Sequence, residues 1–181
     1  MSRCIAFLRA VNVGGRIVKM DLLKAQFEAL GLAQVSTFIA SGNVIFESKA
    51  RNLAALERKI EARLNTAFGF EIHTFIRSAA EVAAIVSHPA FDAADVAAAS
   101  TFVVGFLAAP PDAAALKTVE GFNTGIDRFH VHGRELYWLS RQKQSESTFS
   151  NNLFEKALRA RSTFRGVNTL RKLLAKYPAG D

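Results

Sequence analysis

The chain has 181 residues, of which 50% are hydrophobic and 22% are charged, proportions typical of a folded globular protein rather than a disordered or fibrous one. Its single cysteine, Cys4, excludes an internal disulfide framework and a cysteine-based zinc ribbon. A free thiol fits a reducing compartment, so we expect a cytoplasmic protein. The formal net charge of +7 at pH 7 favours anionic partners without naming one.

The apolar run near the start of the chain, Cys4 to Leu8, is interrupted by Arg9 and is too short for a signal-peptide core or a membrane span. No other run approaches the roughly 20 apolar residues of a membrane helix, so we expect no membrane partner.

The first half of the chain predicts alternating strands and helices. Arg3 to Ala10 is dominated by apolar and small side chains and predicts a buried strand, and Val11 to Gly15 supplies turn residues after it. The elements expected next are a helix from Met20 to Gly31, strands at 35–39 and 44–46 around the corner Ser41-Gly42-Asn43, a helix between Asn52 and Gly69, a strand at 70–76 and a helix from Ser78 to Val86. This βαββαβ order is that of the split unit in ferredoxin-like sheets.

The second half predicts a smaller α+β part that partly echoes the first in element order. The expected elements are a connector at 90–99, a strand at 101–107, a helix from Pro110 to Val119, strands at 126–131 and 135–139 around His132-Gly133-Arg134, and two final helices, one from Ser150 or Asn151 to Ala160 and one from Asn168 or Thr169 to before Pro178. We therefore predict an α+β fold with a ferredoxin-like subdomain at 1–88 and a smaller α+β subdomain with two C-terminal helices at 100–181.

Positive charge is concentrated in the C-terminal third. Residues 1–121 contain 12 lysines and arginines against 11 acids, whereas residues 122–181 contain 11 against 5. The basic character of the chain therefore lies away from its first half.

Two motifs in the first fifty residues, Leu8–Gly15 (LRAVNVGG) and Thr37–Phe46 (TFIASGNVIF), resemble an uncharacterised bacterial family called domain of unknown function 1697. That family usually has Arg-Gly-Ile-Asn-Val-Gly-Gly and Thr-Tyr-Ile-Gln-Ser-Gly-Asn-Val-Val-Phe there, with Lys-Met opening the helix between them, as Lys19 and Met20 do in this chain. Ala10 replaces the usual glycine, and Gly166-Val167 stand where the family has Asn-Trp. The resemblance extends over essentially the whole chain. It implies an α+β fold with a ferredoxin-like N-terminal part and a smaller C-terminal part, and no established activity.

The split topology places the C-terminal ends of the first and second strands at one edge of the sheet, with the following turns and a helix N-terminus. Glycine-rich backbone, a helix N-terminus and two cations favour an anion such as phosphate or carboxylate. The predicted ligand-binding residues are Arg9, Asn12, Gly14, Gly15, Arg16, Lys19, Ser41, Gly42 and Asn43. The alternative is that they only form tight turns and that the asparagines lock two loops together.

The basic C-terminal segment offers a second candidate surface. Arg161, Arg165 and Asn168 are candidate anion contacts, and the neighbouring Phe149, Phe154 and Phe164 could stack on bases. The alternative is that these phenylalanines form core and that the basic face is only solvated. Since Tyr137 and Trp138 adjoin on a predicted strand, they point to opposite faces, and we expect at most one of them to be buried.

Histidines offer a third candidate. His130 and His132 share a face of a predicted strand, a spacing compatible with two metal ligands. A site needs further ligands, and neither His73 nor His88 stands at a recognisable spacing. Histidines on a solvated face are the alternative, so we expect no metal and no cofactor. Cys4, between apolar neighbours, is expected to be a core residue rather than a nucleophile.

These observations leave three hypotheses. The first is a non-catalytic binding module for an anionic small molecule or nucleic acid. The second is an enzyme acting on a small anionic substrate, with no catalytic residue identified; the absence of a Gly-Lys-Ser/Thr pattern argues against a P-loop hydrolase. The third is an oligomeric interaction protein that uses an open face of a sheet. The sequence leaves the ligand and the oligomeric state open.

Overall fold

The computed structural model describes residues 1–179 and divides into two units, each built around a four-stranded antiparallel sheet. The first unit comprises Met1–Ala84 together with the residues from Lys172 onward, and the second comprises Ile85–Arg171. The predicted α+β class is confirmed.

The first unit has the topology of a split βαβ pair. Its elements are strand β1 (Ser2–Leu8), helix α1 (Met20–Glu28), strands β2 (Ala33–Phe38) and β3 (Asn43–Ser48), helix α2 (Leu53–Phe68), strand β4 (Thr74–Ser78) and the greater part of helix α3 (Ala79–Ser87). The sheet order is β2-β3-β1-β4, and every neighbouring pair is antiparallel. The predicted ferredoxin-like order is confirmed, with β1 hydrogen-bonded on both sides.

Every second side chain of β1 points into the core between the sheet and the helices of this unit. Cys4, Ala6 and Leu8 belong to the same buried cluster as residues of both helices, among them Phe27 and Ile60. Burial raises the pKa of the Cys4 thiol to about 11, with Glu81 adding to the shift, as expected for a core residue rather than a nucleophile.

The ends of α2 follow the predicted signals. The Asn52 side chain accepts a hydrogen bond from the Ala55 N–H, and Gly69 ends the helix at a φ of +76°. The strand expected at 70–76 is shifted, because pairing with β1 runs only from Thr74 to Ser78. The apolar residues before it pack against the core without pairing: Phe70 lies beside Phe68.

Tyr177 and Pro178, which belong to the first unit, contact strands of its sheet. Arg3 donates from Nη1 to the Pro178 carbonyl at 2.6 Å. The Phe38 and Tyr177 rings meet edge to face, with centroids 6.5 Å apart.

The second unit repeats the same topology. Its elements are helix α4 (Ala93–Ala98), strand β5 (Thr101–Leu107), helix α5 (Ala113–Glu120), strands β6 (Asp127–His132) and β7 (Glu135–Ser140), a 3₁₀ turn (Gln144–Glu146), helix α6 (Asn151–Leu158), strand β8 (Ser162–Gly166) and helix α7 (Val167–Lys176), whose second half belongs to the first unit. The sheet order β6-β7-β5-β8 is the counterpart of β2-β3-β1-β4.

Strand β8 was not predicted, and the expectation of only helices after the second hairpin is wrong. Its five residues pair with β5, from Val103 opposite Gly166 to Leu107 opposite Ser162. A strand this short between two helices shows no alternation that distinguishes it from helix. It completes a second βαββαβ unit. The expected connector at 90–99 also contains α4, and the last helix begins at Val167 rather than Asn168 or Thr169.

The core of the second unit is rich in aromatic residues. Phe129, Trp138 and Phe154 are buried together, and Phe149 and Phe164 pack against them. The interpretation of the three predicted stacking phenylalanines as core is therefore correct, and nucleic-acid stacking by them is not supported.

The expectation that at most one of Tyr137 and Trp138 is buried is wrong, since each is only 1% exposed. Trp138 faces the aromatic core, where its Nε1 donates to Asp127 Oδ1 at 2.9 Å. On the other face the Tyr137 hydroxyl donates to the Ile85 carbonyl at 3.1 Å, so the end of α3 helps to cover that face.

We predict that Gly105→Ala destabilises the protein. A Cβ at Gly105 would lie 2.8 Å from the Phe164 ring, which β8 holds directly opposite. Overpacking of this kind costs about 1–3 kcal/mol, measured as a loss in the free energy of unfolding by denaturant titration. Gly125→Ala is the control, because a Cβ there meets nothing within 4 Å. Full stability of Gly105→Ala would contradict the described β5–β8 packing.

Candidate functional site

The predicted ligand-binding residues lie in the first unit, on the loop after β1 and the turn before β3. We call the residues 12–19 and 41–43 the glycine edge. Val13–Arg16 is a tight turn in which the Arg16 N–H donates to the Val13 carbonyl at 3.2 Å. Gly14 and Gly15 have φ of +59° and +80°, the positive values that a type I′ turn needs at both central residues. The N–H groups of these two glycines take no part in the hydrogen bond that closes the turn.

Asn12 links the loop after β1 to the start of the turn before β3. Its Nδ2 donates to the Ala40 carbonyl at 2.8 Å, and its Oδ1 accepts from the Val18 N–H at 2.8 Å. Asn12 itself has a φ of +56°, which asparagine tolerates better than most residues. Its amide therefore holds the loop after β1 against the turn that precedes β3.

The turn Ser41-Gly42-Asn43 is equally involved in shaping the loops. The Gly42 carbonyl accepts from the Leu8 N–H at 2.8 Å, and a Cβ at Gly42 would lie 3.1 Å from the Leu8 Cβ. Asn43 is fully buried, and its Nδ2 donates to the Phe38 carbonyl and to Ser41 Oγ. These contacts give the two asparagines the loop-locking role that was the alternative interpretation of the motifs. Their role in ligand binding stays a prediction.

The cations differ in their environments. Arg9 is half-buried, and its backbone N–H donates to the His73 carbonyl at 2.9 Å. Arg16 is exposed, with its guanidinium 5.1 Å from the centroid of the Phe70 ring, a contact that positions the charge without neutralising it. Lys19 is exposed at the N-cap of α1. Arg16 and Lys19 therefore place two positive charges beside the glycine turn.

Exposed apolar side chains flank the same loops. Ile17 is 82% exposed, and Val13 and Ile39 are each more than half exposed. Because Asn12 bonds to residues 18 and 40, these side chains stand on segments that are tied together. The surface around the glycine edge therefore presents positive charge and exposed apolar side chains together.

The candidate anion contacts near the C-terminus lie in different environments. Arg165 is buried and donates from Nη1 to Thr163 Oγ1 and to the Phe164 carbonyl, and burial lowers its pKa to about 10. Arg161 pairs with the buried Glu155 at 3.2 Å. Arg161 nevertheless lines a surface pocket of about 410 Å³ together with Lys156 and Arg159.

Asn168 is exposed and accepts a hydrogen bond from Arg171. It lines a separate hollow of about 330 Å³, which also contains Lys143 and Gln144. Among the three predicted contacts, Arg161 and Asn168 therefore line different hollows, and Arg165 is held by its own strand.

The second unit brings three histidines together. His88, His130 and His132 each offer a ring nitrogen, and these nitrogens lie within 4.8 Å of one another. His88 Nε2 is 3.2 Å from His130 Nε2, and the rings of His88 and His132 stack with centroids 4.1 Å apart. Burial lowers the pKa of both His88 and His130, and the neighbouring His132 lowers it further.

The sequence predicted the shared face of His130 and His132 but not the approach of His88. No spacing rule connects residue 88 to residue 130. The one local signal is Pro89, which restricts the backbone of the histidine before it at the end of a helix.

The comparisons with known proteins bear on the family and the fold. The family described as "Protein of unknown function (DUF1697)" matches residues 1–137. The chain belongs to this family. The match includes both N-terminal motifs and ends within β7, before the segment where Gly166-Val167 depart from the usual family residues.

A conserved bacterial protein from Streptococcus pneumoniae has a similar solved structure, with a TM-score of 0.77 and 22% sequence identity over 97% of this chain and 98% of that one. The DUF1697 chain therefore shares the fold of that protein along nearly its full length. No curated protein matches this chain. Among the described residues, no helix is long and apolar enough to cross a membrane.

We predict that Asn12→Ala lowers the free energy of unfolding by about 1–2 kcal/mol, because it removes two hydrogen bonds that join loop segments and places alanine at a positive φ. Denaturant titration measures the change. Asn65→Ala is the control, since Asn65 is exposed within α2, where alanine is favoured. Equal stability of the Asn12 variant and the wild type would show that the loops do not depend on this amide.

Proposed function

We propose that this DUF1697 protein is a binding module for an anionic ligand that carries phosphate groups, a phosphorylated small molecule or a nucleic acid, and that the ligand binds at the glycine edge. The observation that carries the proposal is the type I′ turn whose last residue is the exposed Arg16, with exposed Lys19 three residues later. Backbone N–H groups of a glycine turn and two cations form the chemistry that recognises phosphate.

The other residues of the glycine edge support the turn. Asn12 and Asn43 hold its two loops by hydrogen bonds to backbone carbonyls, so little conformational entropy is lost when a ligand binds. The exposed Ile17 beside the cations adds apolar contact area, which suits a ligand with an apolar or planar part as well as a phosphate.

Binding is favoured over catalysis by the composition of the glycine edge. Residues 12–19 and 41–43 contain no histidine, cysteine or carboxylate, the side chains that most often act as general bases. The proposed setting is the cytoplasm, in line with the free thiol of Cys4.

We predict that the protein binds labelled single-stranded RNA, single-stranded DNA or inorganic polyphosphate at low ionic strength, as measured by fluorescence anisotropy or by competition. The double variant Arg16→Ala/Lys19→Ala should weaken binding about tenfold or more and reduce the salt dependence by roughly two phosphate contacts.

The matched control is Lys49→Ala/Arg51→Ala, which removes the same two types of charge from exposed positions in the same unit. An equal loss in the control would assign the binding to general positive charge. Absence of binding by the wild type to all three probes at low salt would overturn the proposal.

The exposed apolar side chains favour a second candidate, an interaction protein that associates through the glycine edge. Val13, Ile17 and Ile39 would then be covered by a second copy of the chain. Light scattering should give the mass of a dimer for the wild type and of a monomer for Ile17→Ser. A monomeric wild type at all concentrations tested would exclude this self-association.

A further inference from the structure

We propose that His88, His130 and His132 bind one divalent transition-metal ion, for which Zn²⁺ is best suited, with three imidazole ligands and an open fourth position. All three histidines lie in the second unit, so the proposal does not depend on ligand binding at the glycine edge.

The three histidines come from two segments of the chain, strand β6 and the residue after α3. His130 and His132 are two residues apart on the edge strand β6 and project from the same face. His88 follows the last residue of α3, and its carbonyl accepts from the Ala90 N–H at 2.9 Å. The end of α3 is tied to the sheet by the Tyr137 hydroxyl, and Tyr137 is the register partner of His130.

The distances fit a metal centre. Zinc binds imidazole nitrogen at about 2.0–2.1 Å, so two nitrogens of a tetrahedral site are about 3.3 Å apart. The separation of His88 Nε2 and His130 Nε2 is 3.2 Å. The His132 ring is exposed and stacks on His88, and its ring nitrogen lies within 4.8 Å of a ring nitrogen of each of the other two histidines.

The chemistry selects the kind of ion. Imidazole suits zinc, copper, iron and nickel, whereas calcium and magnesium prefer oxygen ligands. Three neutral imidazoles leave the full double positive charge of the ion, so the fourth position would hold water or an exchangeable anion.

The test is isothermal titration calorimetry of the full chain with Zn²⁺, after treatment with a chelator. We expect one ion per chain. His88→Gln, His130→Gln and His132→Gln should each weaken Zn²⁺ binding roughly tenfold or more. Co²⁺ should show the intense visible absorption of low-coordinate cobalt in the wild type and lose it in the variants.

The control is His73→Gln, which changes the fourth histidine of the chain, a residue of the first unit paired with Glu61 and Glu71. It should leave the Zn²⁺ affinity and the Co²⁺ spectrum unchanged. Because His88 lies where the chain leaves α3, His132→Gln at an exposed position is the variant least able to disturb folding, and Zn²⁺ should raise the Tm of the wild type but not of this variant.

Three outcomes would overturn the proposal: no Zn²⁺ binding by the wild type at micromolar concentrations, equal affinity in folded His130→Gln or His132→Gln, or loss of binding in His73→Gln.

Discussion

The central strand β1 is bonded on both sides where it ends, and the arrangement of the glycine edge depends on this constraint. The Leu8 N–H donates to the Gly42 carbonyl of the turn before β3, and the Arg9 N–H donates to the His73 carbonyl next to β4. Two neighbouring residues of one strand therefore fix loops that are distant in sequence. These two hydrogen bonds fix the place where the chain leaves β1, and therefore where the glycine turn and the start of α1 begin.

The close approach at Gly42 shows why small side chains are needed there. The chain passes so near Leu8 and Val11 that a Cβ would lie 3.1–3.2 Å from their Cβ atoms, and the positive φ adds a second reason for glycine. The motifs of the DUF1697 family at these positions thus have a structural explanation that is independent of any ligand. A ligand would use the exposed part of the same loops, the turn and the cations, rather than the residues that hold them together.

The first unit could be predicted from the sequence because each of its elements carries its own signal. Cys4 to Leu8 is a short apolar run, Asn52 and Gly69 mark the ends of a helix, and turn residues separate β2 from β3. The second unit was only partly predictable. Strand β8 is recognisable by its pairing with β5, a partner more than fifty residues earlier, and no local pattern reports such pairing. The approach of His88 to β6 and the burial of Tyr137 were missed for the same reason, since both depend on the end of α3 and the residue after it lying against the sheet.

The return of the chain to the first unit after Arg171 has a consequence for protein synthesis. Arg3 contacts Pro178 and Phe38 contacts Tyr177, residues that are translated after the whole of the second unit. At about 5–20 residues per second, the ribosome makes the whole second unit before those partners emerge. The first sheet therefore remains without these two contacts until the second unit has been synthesised.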